Sequence, residues 1–533
     1  TFLGTDVPRV DIPLKVNGDA MYAADVRLPG MVYAAVVNNP VQWGGKPTYD
    51  ASAILNRPGV IKVVEMSLPG DREEGKMNRG FHDMAMKNSL AVVADSYYRA
   101  KTALELIPIS WDYGPDANVS NASLYAAATA KLGDHAGRDR GNEGDALGVI
   151  SAAPSSSVVT ADYTRPYESH LRPEPIVHVA QLKDGRYDAW IGAQHPPRVA
   201  VQIADQLGME NKDIHLHRTF LAGGFSSSSG TYIARQAAEI ARQLNGTPVQ
   251  VRYTREEDTM HGTLRTLGAI RLTAALGPDG LPTALSSVVA SDGSQRIANQ
   301  FNAYNIPNRH YVSHNLEGHI ATTSHRNPTG GFGGFSNESF VDEMALAGGW
   351  DPLEWRIHMS KDHADWQLVL NTLKDKAGFR TDLPKGQGMG VAIVDSHGTL
   401  TAQCVTLSVA RRGQVRIEKV LTILDPGHVM MPAVGIEQAE GSIVWGISHS
   451  LMGGIEVENG RVVNSNFDKM HILRMGDMPE METHYALSRG DKWGGLGEPA
   501  VAPVQPAIAN AIFFATGKRV RTGPMMQQDL SWS

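Results

Sequence analysis

The chain has 533 residues, 42% of them hydrophobic, with a net charge of -7 and an isoelectric point near 6.2. At roughly 100 to 200 residues per unit that length predicts about three or four folded units, and an acidic balance without clustered Lys and Arg excludes nucleic acid as a partner. No apolar run approaches the roughly 18 residues of a membrane-spanning helix, and the single cysteine, Cys404, excludes an internal disulfide and this chain as sole ligand of an iron–sulfur cluster.

From the N-terminus, apolar patterning predicts strands at Val32 to Asn38, Val60 to Met66 and Ala91 to Asp95. A helix follows over Tyr97 to Leu106 and a strand over Ile107 to Trp111, closing a small α+β unit placed at residues 1–132. Residues 133–157 turn polar and small, ending in Ser155-Ser156-Ser157, and are predicted as a linker. A second unit, 158–383, begins with a strand at Val158. Within it a strand over Ile214 to Phe220 leads into the loop Ala222-Gly223-Gly224-Phe225-Ser226-Ser227-Ser228-Ser229-Gly230, and a helix follows with Ile233, Ala237, Ile240, Ala241 and Leu244 on one face. Strand, glycine loop and helix in that order can aim backbone N–H groups at an anion. The loop has neither the lysine of a phosphate-binding P-loop nor the glycine spacing of a dinucleotide fold.

A third unit, 384–533, is predicted to hold strands at Val405 to Val409, Val415 to Ile417 and Val420 to Leu424, a helix from about Val434 to Leu451, and a final helix after Glu498. The latter is preceded by Gly494-Gly495-Leu496-Gly497-Glu498-Pro499, a carboxylate on a glycine hinge. Such a hinge lets backbone approach a bulky ligand closely and leaves the carboxylate uncrowded as a base.

The run from Gly495 to Lys518, with Pro8-Arg9-Val10-Asp11-Ile12-Pro13, Lys15-Val16-Asn17-Gly18 and Asp25-Val26-Arg27-Leu28-Pro29-Gly30-Met31, resembles the molybdopterin-binding large subunit of the xanthine oxidase family. Within it the likeness is to the isoquinoline oxidoreductase and membrane-associated aldehyde dehydrogenase branch, and extends over nearly the whole chain. The resemblance implies a multi-domain α+β fold, with a small hammerhead-like domain ahead of two larger α/β-type cofactor-binding domains.

The same resemblance implies roles for individual residues. Glu498 is the catalytic base, and Gly497 lies beside the cofactor. Gly223, Gly224 and Phe225 match a Gly-Gly-Gly-Phe-Gly loop near the metal, with Ala222 replacing its first glycine and Ser226 its last. Gln194, in Trp190-Ile191-Gly192-Ala193-Gln194-His195-Pro196, matches a glutamine that contacts an oxo ligand of the metal, and Gln438 matches one that holds the pterin. Arg326 matches an Arg-x-Pro turn, where it either orients substrate or ties down the turn. His170 and Glu174 read as structural polar residues, and Gly386-Gln387-Gly388 is not the metal-proximal Gly-Gln-Gly loop. In the branch that loop belongs to a segment ahead of the matched part, with a twin-arginine export signal. The expectation is that another chain supplies that loop, that a cleaved segment of a longer precursor carries it, or that this chain lacks part of the usual cofactor cradle.

The implied activity is oxidation of an aldehyde to a carboxylic acid with oxygen from water, with Glu498 taking the proton from the attacking oxygen. Hydroxylation of an N-heteroaromatic ring, and a scaffold without cofactor, are the alternatives. The implied cofactor is molybdenum on molybdopterin, either bare or as its cytosine dinucleotide. Iron–sulfur clusters would sit on a small partner subunit and haem c on a membrane-bound cytochrome c subunit. The resemblance places the protein in the periplasm, attached to the inner membrane through partners, with the cytoplasm as the alternative.

Overall fold

The computed structural model describes residues 2–66, 88–227, 231–292, 301, 303–328 and 331–533, apart from the side chains at 231, 331 and 332. The apolar runs Val32–Asn38 and Ser89–Ala94 are buried almost throughout, as strands covered on both faces must be. They pair antiparallel, and the other edge of Val32–Asn38 runs parallel to Val249–Arg252. A seven-stranded sheet results, in the order Ile214–Arg218, Arg186–Ile191, Val177–Lys183, Val249–Arg252, Val32–Asn38, Ser89–Ala94, Val60–Glu65.

Because side chains alternate along a strand, Ala34, Val36, Ala91 and Val93 face helices Pro196–Leu207 and Thr231–Arg242, whereas Ala35, Leu90, Val92 and Ala94 face helix Tyr97–Leu104. The predicted boundary at residue 132 therefore falls between segments that share one sheet: a strand bonded along both edges needs Val249–Arg252 as much as Ser89–Ala94. The predicted linker 133–157 carries structure of its own. Arg138–Asp139 adds an edge strand to Asn308–Leu316, and Asp145 caps helix Ala146–Ala152 by accepting from Gly148 N.

That edge belongs to a five-stranded sheet ordered Arg138–Asp139, Asn308–Leu316, Pro282–Asp292, Gly268–Leu276, Val158–Arg165. A four-stranded sheet follows, Gln387–Ser396, Thr399–Val409, Val415–Asp425 and Glu480–Tyr485. One hydrophobic core joins the two sheets through helices Gly331–Ala347, Ala364–Ala377 and Val504–Thr516. The two strands predicted between Val415 and Leu424 are one, with a register shift opposite Thr406/Leu407.

The fit of the last helix on its sheet fixes the position of the loop before it. A Cβ at Gly388 would stand 2.0 Å from Ala511 O, and one at Gly390 2.2 Å from Ala507 O, so only glycine permits this approach. Asn510, buried on the same helix, donates to Val391 O and Glu338 O. Beside it, buried Arg356 bonds Glu338 and Asp342 at 2.8 and 3.0 Å. Among the described residues, no helix is long and apolar enough to cross a membrane.

Candidate active site

Glu498 stands at the start of the short turn Pro499–Val501 that leads into helix Val504–Thr516. The glycine loop before it is clamped onto the hairpin turn between Gln387–Ser396 and Thr399–Val409. Gly495 N donates to His397 O at 2.9 Å, Thr399 Oγ1 to Gly495 O at 2.7 Å, and Gly494 N to Pro426 O at 2.8 Å. A side chain at Gly494 would meet Thr399 Oγ1 at 2.2 Å, so the loop can lie this close only as glycine. Gly497, in contrast, has no heavy atom within 4 Å of where a Cβ would stand. Its face is open, as close approach by a ligand requires.

Both oxygens of the Glu498 carboxylate are engaged. Oε2 accepts from Asn327 N at 2.9 Å, and Oε1 lies 3.1 Å from His397 Nε2. Asn327, at φ 64°, also donates its amide to the carbonyls of Glu498 and Pro499, so the turn after Arg326 grips the loop from behind. Arg326 spends its guanidinium on carbonyls: Nη1 on Gly441 O at 3.0 Å, Nη2 on Gly497 O at 3.1 Å and Gln438 O at 3.3 Å. Gln438 Oε1 accepts from the same nitrogen at 3.4 Å, while among the described residues the Gln438 amide nitrogen meets no acceptor. Burial lowers the Arg326 pKa from its ordinary value, and Glu498 opposes the shift.

The loop 222–227 meets these residues through Phe225. Its ring stacks on Trp445 at 4.1 Å, and the Arg326 guanidinium lies 5.7 Å from it. A Cβ at Gly223 (φ 77°) would press into that ring at 2.8 Å. Phe225 and Ser226 themselves hold left-handed backbone, φ 50° and 75°, in a turn closed by Ser227 N on Gly224 O. Ser228 to Gly230 lie outside the described residues. Gln194 is exposed just beyond strand Arg186–Ile191, and Gly192 brings its segment against Phe220 and Leu221. These contacts unite Phe225, Arg326, Gln438, Gly497 and Glu498, with the segment of Gln194 beside the start of the glycine loop.

Helix Pro432–Leu451 supplies the remaining wall. Gln438, Ser442, Trp445 and His449 recur at helical spacing, and Ser442 Oγ, Trp445 Nε1 and His449 Nδ1 are buried without a hydrogen-bond partner. Ser442 Oγ and Trp445 Nε1, orphaned on one face beside an open glycine loop, fit a polar, bulky ligand such as a pterin, whereas His449 Nδ1 lies 3.7 Å from Glu168 Oε2. Behind this wall, Arg165 bonds both oxygens of Glu168 at 2.8 Å, and Arg265 lies 3.3 Å from Glu168 Oε2 and from His325 Nδ1. Burial alone would raise the Glu168 carboxyl, but Arg165 and Arg265 more than offset it and hold it at about 2. Burial depresses His449 to about 4 and takes His325 well below its ordinary range. Glu168, His325 and His449 are close enough for a metal ion, yet the Arg265 guanidinium already stands between two of them. Arg265 Nη2 donates to Asn327 O at 2.7 Å, tying this buried group to the turn that holds Glu498.

His170 is buried with its ring nitrogens on Thr263 O and Ser324 O, and Glu174 accepts from Ala24 N at 3.2 Å. Sequence reasoning passed over Asn327, His397 and Trp445. The segment Asp395-Ser396-His397-Gly398 has the composition of a turn that tolerates left-handed backbone, the one local signal for His397.

Two models of a molybdopterin cofactor-binding domain match the chain, at residues 133–359 and 371–479. The chain belongs to the molybdopterin-binding subunits of the xanthine oxidase family. It is 27% identical to isoquinoline 1-oxidoreductase subunit beta of Brevundimonas diminuta, over 98% of this chain and 68% of that one. It is 26% identical to a protein of Gluconacetobacter polyoxogenes named membrane-bound aldehyde dehydrogenase [pyrroloquinoline-quinone], over 98% and 72%. In fold it matches quinoline 2-oxidoreductase from Pseudomonas putida 86 (TM-score 0.82, 15% identity, 99% of this chain and 98% of that one). It likewise matches aldehyde oxidoreductase from Desulfovibrio gigas (TM-score 0.81, 16% identity, 99% and 81%). The family and the multi-domain fold expected from sequence both stand, and the chain is a subunit of a molybdopterin-dependent oxidoreductase family.

Proposed function

We propose that this subunit oxidises an aldehyde to the carboxylic acid, with Glu498 as the base. The observation that carries the reading is a carboxylate held from behind by Asn327 and His397 on the rim of a glycine loop whose outer face is open. When bound, the molybdenum–pterin group supplies the oxygen taken from water and accepts two electrons. Aldehyde and water thereby give carboxylic acid, two protons and two electrons. Gln194, Gly223, Gly224, Phe225, Ser226 and Gly497 would border that group. The Gln438 amide nitrogen, Ser442 Oγ and Trp445 Nε1 would meet the pterin or its cytosine dinucleotide form. Glu498 removes the proton from the attacking oxygen. Arg326, spent on three carbonyls, shapes the substrate side by fixing the loops rather than by a free charge.

In this reading the electrons pass to an iron–sulfur subunit, since a single cysteine cannot by itself hold such a cluster, and a membrane-bound cytochrome c subunit is the next carrier. The Gly-Gln-Gly loop absent from these residues would come from another chain or from a preceding segment. The site of action would be the periplasm, at the inner membrane. Hydroxylation of an N-heteroaromatic ring is the second reading, favoured by the likeness to an isoquinoline 1-oxidoreductase subunit.

The test is elemental analysis of the assembled complex, with turnover of a panel of aldehydes and N-heteroaromatic bases under an artificial electron acceptor. Molybdenum near one per chain with aldehydes as the better substrates supports the proposal; preference for the ring substrates selects the second reading. A complex active without molybdenum and carrying a quinone would refute both. A fully assembled complex with neither metal nor turnover would make the chain a scaffold.

A further inference from the structure

The segment that ends on Glu498 has two different sides. From Asp491 to Glu498 exposure alternates strictly: Asp491, Trp493, Gly495 and Gly497 are exposed, whereas Lys492, Gly494, Leu496 and Glu498 are partly buried. That alternation is the period of an extended chain, and neither Gly494, Gly495 nor Gly497 takes left-handed backbone. The inner row is anchored at every step. Lys492 Nζ lies 3.0 Å from Asp425 Oδ2, Gly494 N donates to Pro426 O, and Leu496 packs against Gly435, where a Cβ would stand 3.0 Å from its Cδ1. Glu498 meets Asn327 and His397 and keeps 24% of its side chain exposed at the bend where the segment ends.

The outer row is bare next to the base and walled at its far end. Among the described residues, a Cβ at Gly497 would meet no heavy atom within 4 Å, and one at Gly495 would meet only His397. Trp493 is 57% exposed, with its ring stacked on His428 at 4.6 Å and 22°, and His428 Nε2 lies 2.8 Å from Gly490 O. A single exposed aromatic side chain is ordinary on a protein surface. One that shares a face with two glycines, and is braced on one side by a second ring, makes a wall over a floor without side chains. Four steps at about 3.3 Å put the Cα atoms of Trp493 and Gly497 about 13 Å apart, too far for acetaldehyde to span and within reach of two linked rings. Asp491 and Glu498 bracket the row with negative charge, which disfavours an anionic body.

We propose that Trp493 is a specificity-determining residue, whose free face stacks on the distal ring of an uncharged, planar aromatic aldehyde that lies over Gly495 with its carbonyl carbon at Glu498. The inference rests on Glu498 as the base, and it narrows the substrate of that reading from aldehydes in general to long planar ones. The glycines leave the floor low enough for a flat body, and the indole supplies the apolar, polarisable surface on which such a body stacks.

The experiment uses the full complex labelled with 5-fluorotryptophan, the Trp493 19F signal being identified by its loss in Trp493→Phe. The binding probe is 4-acetylbiphenyl, which has the body of biphenyl-4-carbaldehyde with a ketone in place of the oxidisable aldehyde. It should move the Trp493 signal in the wild type and in Glu498→Gln alike, and acetone should not. In turnover, the ratio of kcat/KM for biphenyl-4-carbaldehyde to that for propanal should fall by about tenfold in Trp493→Ala, the scale of one aromatic contact with its buried area, and by no more than about threefold in Trp493→Phe. A Trp493 signal that ignores 4-acetylbiphenyl, or a ratio unchanged in Trp493→Ala, overturns the proposal. If Glu498→Gln is inactive while neither signal nor ratio moves, the role of Trp493 alone fails; if both move while Glu498→Gln is fully active, only the assignment of the base fails.

Discussion

Glu498→Gln should separate the chemistry of the site from its architecture. The replacement keeps the side chain's size, and its amide oxygen can accept from Asn327 N where Oε2 does now, at 2.9 Å. Its amide nitrogen then faces His397 Nε2 across the 3.1 Å gap. Every polar contact is satisfied, so stability should change by less than about 1 kcal/mol, the scale of one ordinary hydrogen bond. What disappears is a group able to take a proton. Positioned acid–base catalysis contributes about 10² to 10⁴-fold, or about 3 to 5 kcal/mol of barrier, and kcat should fall by that much. The assay is steady-state aldehyde oxidation per molybdenum atom, with metal content measured on the same preparation. A fall in kcat and kcat/KM together is the pattern for an interaction made in the transition state. Unchanged kcat at equal molybdenum content would refute Glu498 as the base. A loss of molybdenum in step with activity would also refute the reasoning, because it would make the carboxylate part of the cofactor's hold.

Arg326→Lys cannot reproduce a fork that reaches Gly441 O, Gly497 O and Gln438 O, and should lower stability by about 2 to 3 kcal/mol, read from chemical denaturation. Gly390→Ala drives a methyl to 2.2 Å from Ala507 O and should cost at least about 1 to 3 kcal/mol, with reduced activity because the helix behind Glu498 shifts; an unchanged melting temperature would contradict this packing. Burial holds His178 and His261 near about 3 and His449 near about 4 in the folded chain. Unfolded histidines bind protons from about pH 6.5 downward, so the stability that their neutral forms supply is present above that pH and lost as pH falls towards 3 to 4. Denaturation midpoints should drop steeply from pH 6.5 to 4, and flat midpoints would contradict the burial. Ser226→Gly removes a left-handed φ of 75° from a residue with a Cβ; stability should rise by up to about 1 kcal/mol, and retained activity would show that the backbone, not the hydroxyl, serves the site.

Much of the secondary structure could be read from periodicity, since strands such as Val32–Asn38 and helices such as Thr231–Arg242 bury continuous or 3.6-spaced apolar residues. What periodicity misses is which strand completes which edge. Val32–Asn38 and Val249–Arg252 are parallel neighbours more than two hundred residues apart in sequence, and only their shared burial joins them. At the site, Glu498 and Gly497 stood out on a glycine hinge, whereas Phe225, Arg326 and Gln438 were legible only through the family resemblance of their segments. His397 and Asn327 carried almost none: each acts through a left-handed backbone conformation that aims a side chain or an N–H at a residue far along the chain. Side chains of that kind are selected by the loop they meet, not by their sequence neighbours.

The geometry also explains why the base is backed by so much buried charge. Glu498 is held by the N–H of Asn327; the carbonyl of Asn327 is held by Arg265; and Arg265 is held by Glu168, which Arg165 grips with two bonds. The ionic links among Arg165, Glu168 and Arg265 lie in a water-poor interior, where removing one partner leaves the next charge unpaired at a cost of about 3 to 5 kcal/mol. A loose glycine loop would let the carboxylate turn towards solvent, and the chain of bonds removes that freedom without placing a bulky side chain in front of it. The open face of Gly497 and the rigid back of Glu498 are thus one arrangement: flexibility is confined to the side where a ligand must approach, and rigidity to the side where the proton acceptor must not move.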